Sequence, residues 1–419
     1  MRGTTLAARE ARLAYLMLAP TFVIVFAIVL FPVIANFWIA FKPVELADLR
    51  PPQPIVRERV RALPTAPGET LDVRYQMRNS SLEVTVRQIA LFDTLAPGLT
   101  LVSDEARCET DGTAFACDLG SWEGGYRENL DLSFVADQAW FDAGSPDPLA
   151  SPVEIRGRAP NVLTNATFTL ENFRSVIGAP DFWPTLRVTL WYTIFGTIGS
   201  ILLGLFAAQL LDAEFRGKGM LRGLFLFPYV APVIAAAFTW AFLLDPLSGN
   251  INAVLREYGL VQEAVNFLSR RTTEVGFFGL TLTVPMALTV VIAFEAWRYF
   301  PFAFLFILAR FQAIPRDMYE AADVDGASPL QRFWHITLPQ LVGILSTLFL
   351  LRFIWTFNKF DDIFLLTGGA AGTKTLTVQV YDQAFALADI GAGAAAAVIL
   401  FVILALFMLA YFRWAPEGE

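Results

Sequence analysis

The sequence predicts an all-α polytopic membrane protein of six transmembrane helices, interrupted by an extracytoplasmic β-sandwich. Two observations lead there. Hydrophobic residues fill 55% of the 419 positions and charged residues only 17%, against roughly 25% charged in soluble domains. The apolar residues are also unevenly spread: six segments reach the roughly 20 residues needed to cross a hydrocarbon core, while residues 42–182 have the composition of a soluble domain. Three regions follow: 1–41 (N-terminus and first helix), 42–182 (the sandwich) and 183–419 (a core of five further helices).

In order, the predicted spans are Leu13–Phe41, Val188–Leu211, Gly223–Leu244, Val275 to near Ala309, Ile336 to near Thr367, and Ile390–Phe412. The first holds 29 uncharged residues, far beyond the roughly 7–15 of a signal-peptide core, so it reads as a retained anchor. Basic residues set the orientation. Arg2, Arg9 and Arg12 precede span one; Arg216, Lys218 and Arg222 follow span two; Arg310, Arg316 and Arg332 follow span four. These segments are expected on the cytoplasmic side. Six crossings then place both termini, including Arg413, in the cytoplasm and residues 42–182 outside.

The inserted region is acidic. Residues 43–171 carry 20 Asp and Glu against 11 Arg, a net charge of −9 where the whole chain has −8. That balance gives no support to nucleic-acid binding. LDVRYQM, LEVTVRQIALF and LDLSFVA alternate or are rich in β-branched and aromatic residues, with Asn79-Ser80-Ser81, Pro97-Gly98 and Gly124-Gly125 as turns, the pattern of a small antiparallel sandwich. Both cysteines lie in CETDGTAFAC. A four-residue turn at Asp111-Gly112 sets Cys108 opposite Cys117, where a disulfide is possible, and an extracytoplasmic location suits one.

Chemistry-bearing motifs are scarce. A single histidine, His335, and two cysteines supply neither an HExxH nor a metal cluster, so no catalytic or metal site is expected. GGAAGTKT at 368–375 lacks the adjacent Gly-Lys of a phosphate-binding loop and reads as a flexible loop. GAGAAAAV at 391–398 offers a small-residue surface for close helix packing, expected against a partner subunit.

The segment EAADVDGASPLQRFWHITLP, residues 320–339, is too polar for the spans around it. Pro315 can start a helix that Arg316 to Val324 continue. Gly326 allows a sharp turn. Ser328 suits an N-cap, Pro329 the first helical position and Gln331 a capping box. The expectation is a helix–turn–helix knob over 315–339.

Those residues resemble, almost letter for letter, the EAA motif of bacterial ABC-importer permeases (E-A-A-x-x-D-G-A-x-x-x-x-x-F-x-x-I-x-L-P). FTLENFRSVI, FPYVAPVIAAAFTWAFL, GNINAVLREYGL and FNKFDDIFLLTGGA resemble the maltose-type sugar branch. The resemblance implies that Glu320, Ala321, Ala322, Asp325, Gly326 and Ala327 form a coupling helix seated in a separate ATPase subunit, where ATP and Mg2+ act. It further implies an ATPase dimer, a second permease and an extracytoplasmic sugar-binding protein as partners, and a maltose-, trehalose- or α-glucoside-type substrate. On the same resemblance, the permease itself is expected to hydrolyse nothing and to bind no cofactor directly. In the inserted region, Asp93, Leu95, Pro97, Gly98, Leu99 and Thr100, ahead of the two cysteines, resemble the immunoglobulin-like DUF11 repeat, with Ala96 as an extra residue.

The same resemblance places sugar contacts at Glu295, Tyr299, Phe302, Arg352, Trp355, Thr356 and Lys359. The residues themselves point to the same place. Glu295, Arg298, Arg352 and Lys359 interrupt apolar spans, and ionisable groups at membrane depth line a cavity or pair with one another. Spacings of three and four put them on shared helical faces. Trp355 and Phe302 suit the apolar faces of a pyranose, while charged groups suit its hydroxyls. The competing reading is a structural ion pair such as Glu295 with Arg352. Asp361 and Asp362 are expected near the outer mouth, solvated. Two other classes, a secondary transporter and a membrane-anchored adhesion or sensor protein, lack respectively an inverted repeat and a reason for six spans.

Overall fold

The computed structural model describes residues 6–102, 107–111, 114–277 and 280–414. Arg2 of the N-terminal basic cluster and Gly112 of the predicted hairpin turn lie outside the described residues. The chain forms two compact units, Met1–Phe41 with Thr169–Glu419, and Lys42–Phe168.

The second unit is a sandwich of two four-stranded antiparallel sheets. Strands β1 (Pro54–Ala62), β2 (Thr70–Asn79), β7 (Arg127–Ala136) and β4 (Leu99–Leu101) form one sheet in that order; β5 (Cys108–Asp111), β6 (Ala114–Trp122), β3 (Val86–Thr94) and β8 (Glu154–Arg158) form the other. Alternation sets the faces. In β2, Leu71, Val73, Tyr75 and Met77 point into the core beside Phe115, Trp122, Leu132 and Phe134. Cys108 pairs with Cys117 across β5 and β6, and a disulfide joins them. Strand β3 starts only at Val86, because the Ser81 hydroxyl accepts from the amides of Glu83 and Val84 and holds those residues in a turn.

Among the described residues, five helices of the first unit are long and apolar enough to span a membrane: α1 (Glu10–Ala40), α3 (Phe182–Asp212), α7 (Met286–Gln312), α9 (Pro329–Phe357) and α12 (Ile390–Trp414). A short helix α2 (Glu171–Gly178) precedes α3. The predicted third span is not one straight helix. It breaks into α4 (Lys218–Val230) and α5 (Val233–Leu243), bent by 93°. Pro232 forces the residue before it out of the helical region, and Ala231 accordingly takes φ −58°, ψ 138°.

The fourth and fifth spans also differ from expectation. Residues 275–277 and 280–285 are not helical: after α6 (Asn250–Glu257), strands β9 (Thr273–Phe277) and β10 (Leu280–Val284) pair antiparallel, and α7 starts at Met286. Thr273, Val275, Thr281, Thr283 and Val284 are β-branched, which favours strands over helix. Helix α9 stops at Phe357 and a separate helix α10 (Asp361–Thr367) follows, with two aspartates in its first turn where the helix dipole favours them. Between α7 and α9 lies α8 (Arg316–Val324), and α11 (Leu376–Tyr381) precedes α12.

The small-residue stretch of α12 is filled from within the chain. Ala394, Ala395 and Val398 pack on Phe37, Ile39 and Ala40 of α1, and a Cβ at Gly393 would meet Ala384 at 2.7 Å. The expectation that this surface meets a partner subunit is therefore corrected. Residues 368–375 are likewise not a loose loop. Gly368, Gly369, Ala371 and Gly372 all have positive φ, Thr373 donates to the Ala370 carbonyl, and Lys374 pairs with Asp181 and Asp382.

Candidate functional site

Close approach of α3 and α7 builds the centre of the membrane unit. Gly196 and Gly204 of α3 make it possible: an added Cβ would lie 2.9 Å from Glu295 Cγ at the first and 2.7 Å from Ala303 Cβ at the second. Glu295 is thereby driven into a fully buried position. Its carboxylate accepts from Tyr192 Oη (3.0 Å), from Thr356 Oγ1 (2.9 Å) and from the Arg352 guanidinium, which also donates to Thr356 Oγ1 (3.1 Å). This ion pair, Glu295 with Arg352, is sealed from solvent on both sides.

A second layer stays open. Tyr299, one turn after Glu295, faces three cations. Arg352 lies 4.2 Å from its ring centroid, Lys359 lies 4.5 Å away, and Arg298 lies 5.6 Å away. Lys359 also donates to the Tyr299 hydroxyl. Phe302 and Trp355 meet edge to face, with centroids 5.2 Å apart, and Trp355 keeps 46% of its surface exposed. Half-buried Tyr299, Phe302 and Lys359 and exposed Trp355 thus present aromatic faces beside one ammonium group.

Arg298 is committed elsewhere. Its Nη2 donates to the Ala231 carbonyl at 3.0 Å and its Nη1 to the Pro228 carbonyl at 3.5 Å. These are orphan carbonyls at the end of α4, which the helix cannot satisfy where it breaks. The eight predicted residues therefore fall into three groups: a sealed strut (Glu295, Arg352, Thr356), an open aromatic–cationic face (Tyr299, Phe302, Trp355, Lys359) and a clamp on the α4–α5 break (Arg298).

Sequence reasoning missed two residues here. Tyr192 has no charge to betray it within an apolar span. Asp362, expected to be solvated, is fully buried, with its carboxyl set against that of Glu295. Its position one residue into α10 became visible only once α9 was seen to end at Phe357.

The second candidate surface is the knob. Helix α8 runs from Arg316 to Val324, and Gly326 turns the chain with φ +78°. Ser328 and Gln331 form the reciprocal capping box, with the Ser328 amide donating to Gln331 Oε1 at 2.8 Å and the Gln331 amide to Ser328 Oγ at 3.4 Å. Arg332 reaches back to Asp323 and ties the two helices together. Glu320, Ala321, Asp325 and Gly326 are exposed, while Ala322 and Ala327 are half-buried. Val324 is 88% exposed, and Leu330 and Trp334 are exposed as well. His335 sits in this segment with Nδ1 3.0 Å from the Gln331 carbonyl oxygen, a local contact. Among the described residues no cluster could hold a metal ion.

Residues 200–416 match the family described as binding-protein-dependent transport system inner membrane component. The chain belongs to that family. It is 36% identical over 267 residues to the inner membrane ABC transporter permease protein YcjO of Escherichia coli, covering 61% of this chain and 84% of that one. It is 35% identical over 245 residues to the trehalose/maltose transport system permease protein MalF of Thermococcus litoralis, covering 58% and 78%. Among solved structures, a bacterial ABC transporter involved in the import of the acidic polysaccharide alginate matches with a TM-score of 0.51 at 22% identity, over 60% of this chain and 86% of that one. That likeness shows the fold. The protein is a multi-pass inner-membrane permease of an ABC importer, and it is not itself an enzyme.

Proposed function

We propose that this permease forms half of an ATP-driven pathway for a neutral sugar or small oligosaccharide of the maltose, trehalose or α-glucoside type. One observation carries this reading: an open face of Tyr299, Phe302, Trp355 and Lys359 stands beside a sealed polar strut in the membrane unit. Aromatic rings cover the apolar faces of a pyranose, and an ammonium group serves its hydroxyls. Family membership and the trehalose/maltose relative support the same substrate class.

The helix–turn–helix knob is the coupling element. Its exposed Glu320, Val324 and Asp325 suit a cleft in a separate ATPase subunit, one of a dimer that holds ATP and Mg2+. A second permease completes the pathway, and an extracytoplasmic binding protein delivers the sugar. With the bent pair α4–α5 counted as one crossing, the chain spans the membrane six times, both termini are cytoplasmic, and residues 42–182 lie outside, with Lys42–Phe168 as an immunoglobulin-like domain. Co-expression with an ATPase and a binding protein of such an importer, followed by reconstitution into vesicles, tests this with a panel of labelled mono- and oligosaccharides. ATP-dependent accumulation of an α-glucoside is the expected result. Accumulation without the ATPase would instead indicate a secondary transporter.

A further inference from the structure

The sandwich is acidic in sum, yet its positive charge is gathered on one side. Alternation along β1, β2 and β7 sends Arg57, Arg59, Arg74, Arg78 and Arg127 to the outer face of one sheet, away from the core. Arg61 joins them, close enough to Asp131 to bear on its carboxyl. Six of the eleven arginines between residues 43 and 171 therefore share a face whose acids are Asp72 and Asp131.

Strand register makes the crowding costly. Arg59 stands directly across from Arg74, and Arg78 directly across from Arg127; like charges directly opposite destabilise a sheet. The first pair is relieved, because Arg74 donates to both oxygens of Asp131, at 2.6 and 2.5 Å. The second is not. Neither Arg78 nor Arg127 forms an ion pair among the described residues, nor do Arg57 and Arg59.

An open cleft of about 520 Å³ lies beside this unrelieved pair, lined by Ile55, Arg57, Gln76, Arg78, Arg127 and Asn129. Glu128 also borders it, but its carboxylate is already held by Arg107 (3.1 Å) and by the Tyr126 hydroxyl (2.5 Å). Three exposed guanidinium groups around two primary amides match one kind of ligand. Guanidinium forks take carboxylates bidentately, and Gln and Asn amides both donate to and accept from hydroxyls. A cleft of this size is in the range of small-ligand sites, about 300–1,000 Å³.

We infer that this face of the sandwich binds a carboxylate-bearing oligosaccharide, held by Arg57, Arg78 and Arg127 with Gln76 and Asn129 on its hydroxyls. This site is separate from the membrane-unit pathway and does not depend on what that pathway carries.

The test uses the full-length protein in neutral detergent, with binding of an oligogalacturonate measured by calorimetry beside a neutral maltooligosaccharide of equal length. Oligogalacturonate should bind, weaken steeply between 50 mM and 500 mM salt, and lose at least ten-fold in affinity in Arg78→Gln and in Arg127→Gln. Arg87→Gln, on the other sheet, should bind as the wild type does. Because each of the first two variants removes a like-charge contact, their melting temperatures should equal or exceed that of the wild type, which separates lost binding from lost fold. Equal affinity for the two sugars, or binding untouched by both variants, would overturn the inference. Stronger binding to phosphatidylglycerol vesicles or to poly-glutamate than to oligogalacturonate would also overturn it, in favour of a membrane surface or an acidic protein.

Discussion

Arg352 donates to Glu295 in the middle of the membrane unit, and neither side chain keeps more than 2% of its surface exposed. Removing one member of such a pair leaves the other charge buried and alone, which costs about 3–5 kcal/mol. Glu295→Ala and Arg352→Ala should each lower the melting temperature and the yield of monodisperse protein in detergent. Joint replacement, Glu295→Leu with Arg352→Met, should recover much of the loss, because no unpaired charge remains. A wild-type melting temperature in both single variants would show that the pair is not a strut.

The open face should respond differently. Trp355 keeps 46% of its surface exposed and Lys359 is only half-buried, so Trp355→Ala and Lys359→Ala should lower the melting temperature far less than the strut variants do. Loss of an aromatic platform or of a charge-assisted hydrogen bond of about 1.5–3 kcal/mol should weaken sugar uptake roughly ten-fold or more. Uptake kinetics in vesicles measure this, and unchanged uptake in both variants would remove these residues from the site.

Arg298 has a third kind of role. In Arg298→Gln the Pro228 and Ala231 carbonyls at the α4–α5 break lose their donors, and each unmet buried group costs about 1–3 kcal/mol. Faster hydrogen exchange over 227–243, with no new exchange in α12, is the expected signature. Arg298→Lys should restore it only in part, since a single ammonium cannot span both carbonyls.

These three roles explain how far the sequence could be read. Charged residues in apolar spans marked where buried polar contacts gather, because burying them demands a partner. Their division could not be read from spacing, since Glu295, Arg298 and Tyr299 share one turn and only the neighbouring helices decide which is sealed. The bend at Ala231 was legible in Pro232. The pairing of β9 with β10 was legible in their β-branched residues, but overall apolarity masked both. The knob was read almost residue by residue, because capping and turn signals are local and do not wait on tertiary packing. The arginine face was hidden by the net charge of −9 and appears only when strand register is known.

The sandwich carries a pH dependence of its own. Burial, and then the nearby Asp93 carboxylate, push the Glu58 carboxyl up to about 7, and its Oε2 has no hydrogen-bond partner. A carboxyl raised in the fold favours the folded state when protonated. Its stabilisation is complete below the ordinary value of 4.5 and is lost as pH rises through about 7. Glu58→Gln should therefore raise the sandwich's thermal stability at pH 8 and change it little at pH 4.5. An equal shift at both pH values would contradict this assignment.

Coupling through the knob is tested most directly by sugar-stimulated ATP hydrolysis in the reconstituted importer, comparing the wild type with Gly326→Val. A Cβ at Gly326 meets nothing within 4 Å, so the substitution acts only through its φ of +78°, a conformation costing a side chain roughly 1–2 kcal/mol. Helices α3, α7 and α9 should keep their packing and the protein its melting temperature, while the knob is misaimed. Loss of stimulation, or loss of the ATPase on purification, is the predicted result. Full stimulation by Gly326→Val, with uptake still tied to hydrolysis, would show that residues 315–339 are a connecting loop and that coupling runs elsewhere.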